Sequence, residues 1–435
     1  MGLRGWLLRR AASRPPVLVV AGPYGTRSRL LVEAHGWPEA RSPATAAILV
    51  TCGPLGERQS SAADAVWNDM PGPRARLSLA AGATPEETRT ALERARASLA
   101  DETALLQGAR EHLTTAWHPA EPSSSADHGS SADHGHSGGH APSGGHGPSG
   151  EHGHSGGHGA HGGHGEHGGH GGHGGHGGHG GSVGGVAMAG RGPDRDGLML
   201  DQLHIPLGPV LADWPDGLVV ETVIQGDVIQ HAVVAGEHPG QGRSFWDEPW
   251  LAAADGEPVT RGEAERRRAA AHLDSLGRLL AVAGWPAAAQ TARHLRDRLL
   301  CDGLSGDRLL DARRPPGDLV ADYARFARRV RRSRVLAWML RGVGDLPDGD
   351  VLAQVYRWLA ATGAAIARLD ERAPLDDDRG PRGPVGQGDS AAALELLPNL
   401  LEGAELAQAR LIVAGLDPDL AQLTPEGHAL VRGGS

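Results

Sequence analysis

From His128 to His179 the chain is almost wholly Gly, His and Ser, and from His158 the repeat is strict: His158, His161, His164, His167, His170, His173, His176 and His179 follow one another at three-residue intervals. A Gly-rich stretch with no apolar side chains to bury cannot offset the entropy that ordering costs, so a disordered linker is expected here. Folded domains must then lie before it and after it. Neutral imidazole suits nickel, copper and zinc, and a Gly-rich chain closes small loops at little cost, so neighbouring histidines can share one ion in many registers. Such sites are weak and unselective. Protons compete for imidazole near a pKa of about 6.5, so the tract is expected to hold nickel or zinc at neutral pH and release it in mild acid. The plain alternative is a tether with no physiological metal.

The length of 435 residues suits two ordinary domains flanking that insert. The expected division is an α/β domain over 1–118, the His/Gly-rich linker over 119–195, and a helical domain over 196–435. Acidic residues outnumber basic ones, 52 to 42, and every basic residue is Arg. That balance argues against a nucleic-acid partner. Cys52 and Cys301 are the only cysteines, which leaves neither a disulfide framework nor an iron–sulfur motif and points to a reducing, cytoplasmic setting. Trp6-Leu7-Leu8 among arginines is too short for a signal sequence, and no segment approaches the roughly twenty apolar residues of a membrane span. Membrane association is therefore expected through a partner or a surface.

Pro15-Pro16 leads into Val17-Leu18-Val19-Val20, a continuous apolar run that reads as a buried strand, and Ala46 to Val50 repeats the pattern. Ser60-Ser61 is expected to cap a helix bearing Val66, Trp67 and Met70, and Leu77 to Leu79 to form a third strand. Thr84-Pro85-Glu86-Glu87 is a capping box opening a helix with Thr88, Leu92, Ala95 and Leu99 on one face. Strands alternating with helices predict a small flavodoxin-like parallel sheet. The loops Gly22–Gly25 and Gly53–Gly56 lack the endings of a nucleotide-binding loop and read as plain strand-to-helix turns.

Beyond the tract, Leu218 to Ile224, Gly226-Asp227 and Val228 to Val234 predict a β-hairpin. Five amphipathic helices should follow. They are marked by Leu273, Leu276 and Leu280; by Ala288, Ala292, Leu295 and Leu299; by Leu319, Tyr323, Phe326 and Val330; by Asp350 capping Leu352 to Ile366; and by the region Leu400 to Ala414. The predicted class is thus α/β plus an α-rich α+β domain. His272 and His294 are expected at solvent or in ordinary hydrogen bonds, and Glu263 and Glu265 in helix-surface pairs with Arg266 to Arg268. Arg325, Arg328, Arg329, Arg331, Arg332 and Arg334 form the densest positive run, which reads first as a solvated helix face and second as a surface for anionic subunits or lipid headgroups. No catalytic Ser-His-Asp or Cys-His arrangement follows from the spacing.

Two groups of segments carry a resemblance. His35-Gly36-Trp37, Arg41-Ser42-Pro43, Ala47 to Thr51, Gly53-Pro54-Leu55 and Trp67 to Arg74 resemble the cluster-bearing small subunit of complex I and nickel-iron hydrogenases. Leu207-Gly208-Pro209, Arg331 to Gly344, Asp378 to Gly383 and Leu406 to Asp419 resemble the large subunit that partners it. The resemblance implies a fusion of the two. The small-subunit family ligates a four-iron cluster with cysteines where this chain has Gly22-Pro23-Tyr24-Gly25, Ala80-Ala81 and Gly82 to Pro85, so no cluster is expected. The large-subunit Cys-x-x-Cys pairs are also missing, with Asp417-Pro418-Asp419 where the second would begin. His204 stands near the family's quinone-binding histidine, though the surrounding Gly-Pro-x-His-Pro signature is not kept.

The resemblance implies a structural or coupling subunit of a complex I-like (NADH-quinone oxidoreductase-like) or membrane-hydrogenase-like assembly, partnered by membrane subunits and without catalysis of its own. The alternatives are a nickel or zinc storage or delivery protein, and a residual quinone site at the domain interface.

Overall fold

The computed structural model describes residues 13–99, 182–183, 186–187, 190–193, 198–235, 242–301, 318–385 and 389–423. The eight regularly spaced histidines expected to bind metal lie outside these residues, as does most of the expected linker.

Strands β1 (Val17–Ala21), β2 (Ile48–Cys52) and β3 (Ala75–Leu79) form a parallel sheet in the order β1-β2-β3. The apolar runs in the sequence have their cause in burial on both faces. Ile48, Val50 and Cys52 pack with Leu92, Ala95 and Leu99 on one side, and Leu49 packs with Ala63, Val66 and Met70 on the other. Flavodoxin order would put the first strand in the middle; here β2 is central. The order never reverses, so these three strands make no switch-point crevice of the kind that holds nucleotides.

Three helices cover the sheet: α1 (Thr26–Ala34), α2 (Glu57–Asp69) and α3 (Pro85–Ser98). The α3 capping box forms as expected, with Glu87 N–H donating to Thr84 Oγ1 at 3.3 Å and Thr84 N–H to Glu87 Oε2 at 2.8 Å. Helix α2 begins ahead of the expected Ser60-Ser61 cap; Gly56 is its N-cap, and Gly56 N–H donates to Gln59 Oε1 at 3.3 Å. Helix α1 is an addition to the elements expected from the sequence.

After the tract, β4 (Gly190–Pro193), β5 (Met199–Leu207), β6 (Val220–Gln225) and β7 (Val228–Val234) form an antiparallel sheet in chain order. The β6–β7 hairpin is the expected one, and Gly226 at φ +62° supplies the left-handed residue of its turn. Strand β5 is a second addition: most of its side chains are exposed, so no one-sided apolar alternation marks it.

Eight helices, rather than five, follow among the described residues: α4 (Glu248–Ala254), α5 (Arg261–Val282), α6 (Pro286–Cys301), α7 (Leu319–Arg331), α8 (Arg334–Leu340), α9 (Val351–Ile366), α10 (Asp389–Leu401) and α11 (Leu406–Leu416). The single helix expected over Leu400 to Ala414 is two, because Gly403 at φ +81° breaks the helical path. Helix α5 is central. Its Leu273, Leu276, Leu279 and Leu280 are fully buried in one core with Ala288, Ala292 and Leu299 of α6 and Val355 of α9. Leu30 of α1 enters that same core, so the α/β part and the helical part share buried surface. No helix among the described residues is long and apolar enough to cross a membrane.

Candidate functional site

Helix α1 carries Thr26, Ser28 and Arg29 inward as buried polar residues; Thr26 and Arg29 meet Asp216 of the helical part, and Ser28 donates to the Ala80 carbonyl. Arg29 reaches three carboxylates: Nη1 donates to Glu33 Oε1 at 2.5 Å, Nε to Asp216 Oδ2 at 3.1 Å and Nη2 to Asp274 Oδ2 at 3.0 Å. Asp274, on the buried face of α5, also accepts from Arg296 Nη1 of α6 at 2.5 Å and lies 3.2 Å from Arg278 Nη2 one turn along its own helix. Arg278 Nη2 in turn stands 2.9 Å from Asp417 Oδ1.

The chain of alternating charge continues from there. Asp417 sits at the C-terminus of α11 in the left-handed region, φ 46°, which aims its carboxylate into the core. There Oδ2 accepts from Ser275 Oγ and from Arg382 Nη2, each at 2.5 Å. Arg382 Nη1 lies 4.0 Å from Asp419 Oδ2, which accepts from Ser244 Oγ at 2.7 Å. Asp247 closes the series, accepting on Oδ2 from Gln422 Nε2 at 2.7 Å. A loop of the helical part, residues 208–218, seals the α/β side: Gln59 Nε2 donates to the Gly217 carbonyl at 2.6 Å and Thr26 Oγ1 to Asp216 at 2.8 Å. Asp213 in that loop joins Arg41 of the α/β part to Arg293 of α6.

The two ends differ in proton affinity. Burial alone would raise the Asp274 carboxyl, but Arg29, Arg278 and Arg296 outweigh it and hold it well below the usual carboxylate range. Glu33 behaves alike: burial raises it, and Arg29, Arg296 and Arg293 bring it down to about 2. At the far end burial and the neighbouring Asp419 push Asp247 up to about 6. Asp419 is itself raised by burial, against the pull of Arg382. Arginine does not release its proton near neutral pH, so the network cannot pass protons along its length. What it can do is lock the α/β part onto the helical part, with the carboxyls at the Asp247–Asp419 end more readily protonated than Asp274.

Beside the network remains a cavity of about 70 Å³, lined among others by Arg29, Glu33, Asp213, Trp214, Asp216 and Arg278.

Of the strand-end loops where the resemblance would place cluster cysteines, the Gly22–Gly25 loop is filled by backbone. A Cβ at Gly22 would lie 2.0 Å from the Pro54 carbonyl oxygen, and one at Gly25 would lie 2.1 Å from that of Cys52. Gly53, at φ +70°, packs on Gly25, and Gly217 of the helical part packs on Pro23. Cys52 is fully buried and burial pushes its thiol far up, so it behaves as a small apolar side chain. These residues do not fit an iron–sulfur cluster.

The other sequence candidates are scattered. His204 lies exposed on β5, in register with Val223, outside the network. His294 is exposed as expected, but His272 is buried, and burial together with Arg382 and Arg268 lowers it to about 3. Glu263 caps α5 by accepting from Thr260 N–H at 2.7 Å. Glu265 is buried rather than on the surface, accepting from Arg268 at 2.7 Å and Arg368 at 3.1 Å. The resembling segments contain Arg382, Asp417 and Asp419, without a role for them. Arg29, Glu33, Asp216, Asp274, Arg278 and Arg296 fall in no motif. One signal of them is present in the sequence: Asp274 and Arg278 lie one turn apart amid Ala270, Leu273 and Leu276, where an apolar face carries charge.

No protein-family model matches the chain, and no curated protein matches it in sequence. Among solved structures, a chain of the membrane-bound sulfane sulfur reductase, an archaeal respiratory membrane complex, is similar with a TM-score of 0.35 and 15% identity, covering 51% of this chain and 98% of that one.

Proposed function

We propose that the chain is a structural or coupling subunit of a complex I-like or membrane-hydrogenase-like oxidoreductase assembly, a small-subunit-like domain (1–118) and a large-subunit-like domain (196–435) in one polypeptide, without an iron–sulfur cluster or nickel-iron centre of its own. The observation that carries this reading is the charge network at their meeting surface. It begins where the two parts meet, at Arg29, Asp216 and Asp274, runs on into the helical part, and pairs most of its charged groups with one another. The Gly22–Gly25 loop nearby presents backbone instead of sulfur. A quinone site at the interface fits less well: the cavity is about 70 Å³, whereas roughly 150 Å³ is the size known to admit benzene.

The test is chemical analysis of untagged protein isolated from its own cells, together with the proteins that accompany it. Iron and acid-labile sulfide are expected at background, with membrane subunits of an oxidoreductase attached. Iron and sulfide at cluster stoichiometry within this chain would overturn the reading, and so would a monomer free of partners.

The histidine tract carries a second, separable role in binding nickel or zinc. Removing residues 128–179 should abolish titratable metal binding at pH 7.5 and leave the thermal midpoint of the remainder unchanged. Binding by the intact chain should be largely gone at pH 5.5, where imidazole is protonated. Full metal uptake by the deleted protein would refute the assignment.

A further inference from the structure

The basic run identified in the sequence takes on a definite shape in the fold. Helix α7 buries Tyr323, Phe326 and Val330 and turns Arg328, Arg331 and Arg332 outward on one face. Ser333 caps the next helix, α8, by accepting from Leu336 N–H at 3.3 Å. Helix α8 anchors itself through Leu336 and Leu340 and leaves its other side bare. That side is apolar: Trp338 is 79% exposed, Val335 67% and Met339 37%. Trp338 and Met339 follow Val335 by three and four residues, so the three form one contiguous patch, with Arg334 a turn before Trp338.

A solvated helix face would not place its largest apolar side chain at the most exposed position. Exposed apolar patches rimmed by polar residues mark interaction surfaces. Most of the arginines of this run have no carboxylate partner among the described residues. Arg325 is paired with Asp322, and Arg329 lies over the Trp285 ring at 5.1 Å. Arg328, Arg331, Arg332 and Arg334 form no ion pair with a carboxylate among the described residues. In a chain whose acidic residues outnumber its basic ones by ten, four arginines without a described carboxylate partner, adjoining exposed Val335, Trp338 and Met339 in sequence, are a segregated feature.

We infer that the α7–α8 corner is a membrane-docking surface for a bilayer containing anionic phospholipid. The occupant follows from the chemistry. Tryptophan is favoured at the headgroup level, where one edge of the ring is apolar and the other wet. Arginine forks match phosphate oxygens in two parallel hydrogen bonds, and their stems lie along the apolar boundary. A short amphipathic helix with a basic rim lies in the interface plane without spanning it. This inference is independent of the assembly proposed above, since it concerns the isolated chain and lipid alone.

The full chain is to be sedimented with vesicles of phosphatidylcholine alone and of phosphatidylcholine with one quarter phosphatidylserine. At pH 8 the histidine tract is neutral and does not contribute charge. Binding is expected only to the phosphatidylserine vesicles, falling steeply as sodium chloride rises from 0.1 to 0.5 M, as screening requires. Each arginine at an anionic surface is worth about a fivefold change in partition, so R331Q/R332Q/R334Q should weaken binding about a hundredfold. Trp338→Ser should weaken it roughly tenfold by removing a large apolar side chain from the interface. Both changes lie on exposed positions, and circular dichroism should show an unchanged fold. Failure to bind the anionic vesicles, or equal binding by wild type and both variants, overturns the inference, and in that case the corner serves a protein partner.

Discussion

Asp274→Ala is expected to lower the thermal midpoint on the order of 10 °C and to loosen the α/β part from the helical part. Asp274 is 2% exposed and is held by arginines from three helices: Arg29 of α1, Arg278 of α5 and Arg296 of α6. Removing the carboxylate leaves those guanidinium groups buried with less compensation. Losing one partner of a buried pair costs about 3–5 kcal/mol, and in a domain of 150–250 residues each kcal/mol moves the midpoint by about 2–4 °C. Calorimetry and limited proteolysis between the two parts read the effect. A midpoint within 2 °C of wild type would mean that water already compensates these charges and that the network does not hold the parts together. The companion D274L/R296M removes a positive and a negative group together at similar volume. It should recover part of the loss, because replacing a buried ion pair with packed apolar groups is often neutral.

Asp247→Asn is expected to act in the opposite direction, stabilising the protein at pH 8 by about 1–3 kcal/mol. Asp247 is raised from 3.8 to about 6 by burial and Asp419. Between those values the folded state binds more protons at this group than the unfolded chain does. Its contribution is therefore intact below pH 4 and is lost as pH rises through 6, at about 1.4 kcal/mol for each pH unit that separates the two values. His272 acts with the opposite sign, since its folded value of about 3 lies below the ordinary 6.5 and its contribution is lost as pH falls through that interval. The difference between wild type and D247N, measured by denaturant unfolding from pH 4 to 8, cancels the histidine and isolates the carboxyl. The two curves should converge near pH 4, separate between pH 4 and 6, and run parallel above that. Parallel curves across the whole range would show that folding does not raise the Asp247 carboxyl.

Such groups are poor candidates for discovery by pattern. Helix α1 escapes prediction because its inward positions include Thr26, Ser28 and Arg29, so no apolar stripe marks it. Strand β5 escapes it for the converse reason: it is held by its ladder to β6, from Leu207 opposite Val220 to Gln202 opposite Gln225, and exposes most of its side chains. The α3 box, the β6–β7 turn and the Asp350 cap of α9 are all legible, since each is chemistry confined to four or five adjacent residues.

By itself the sequence determined the local backbone: where apolar runs buried on both faces become parallel strands, and where capping residues and helical periodicity start helices. It also determined that a His/Gly-rich tract separates two sets of elements, and that arginines gather near residue 330. Only the tertiary structure decided which charges are buried. Arg29 and Asp274 are 245 residues apart and meet solely because α1 docks on α5. A charge enters a low-dielectric interior only where opposite charges arrive to compensate it, and their arrival depends on the packing of distant segments. That long-range condition separated Arg29, locked in the core, from Arg331 and Arg334, which stand exposed and which no described carboxylate pairs.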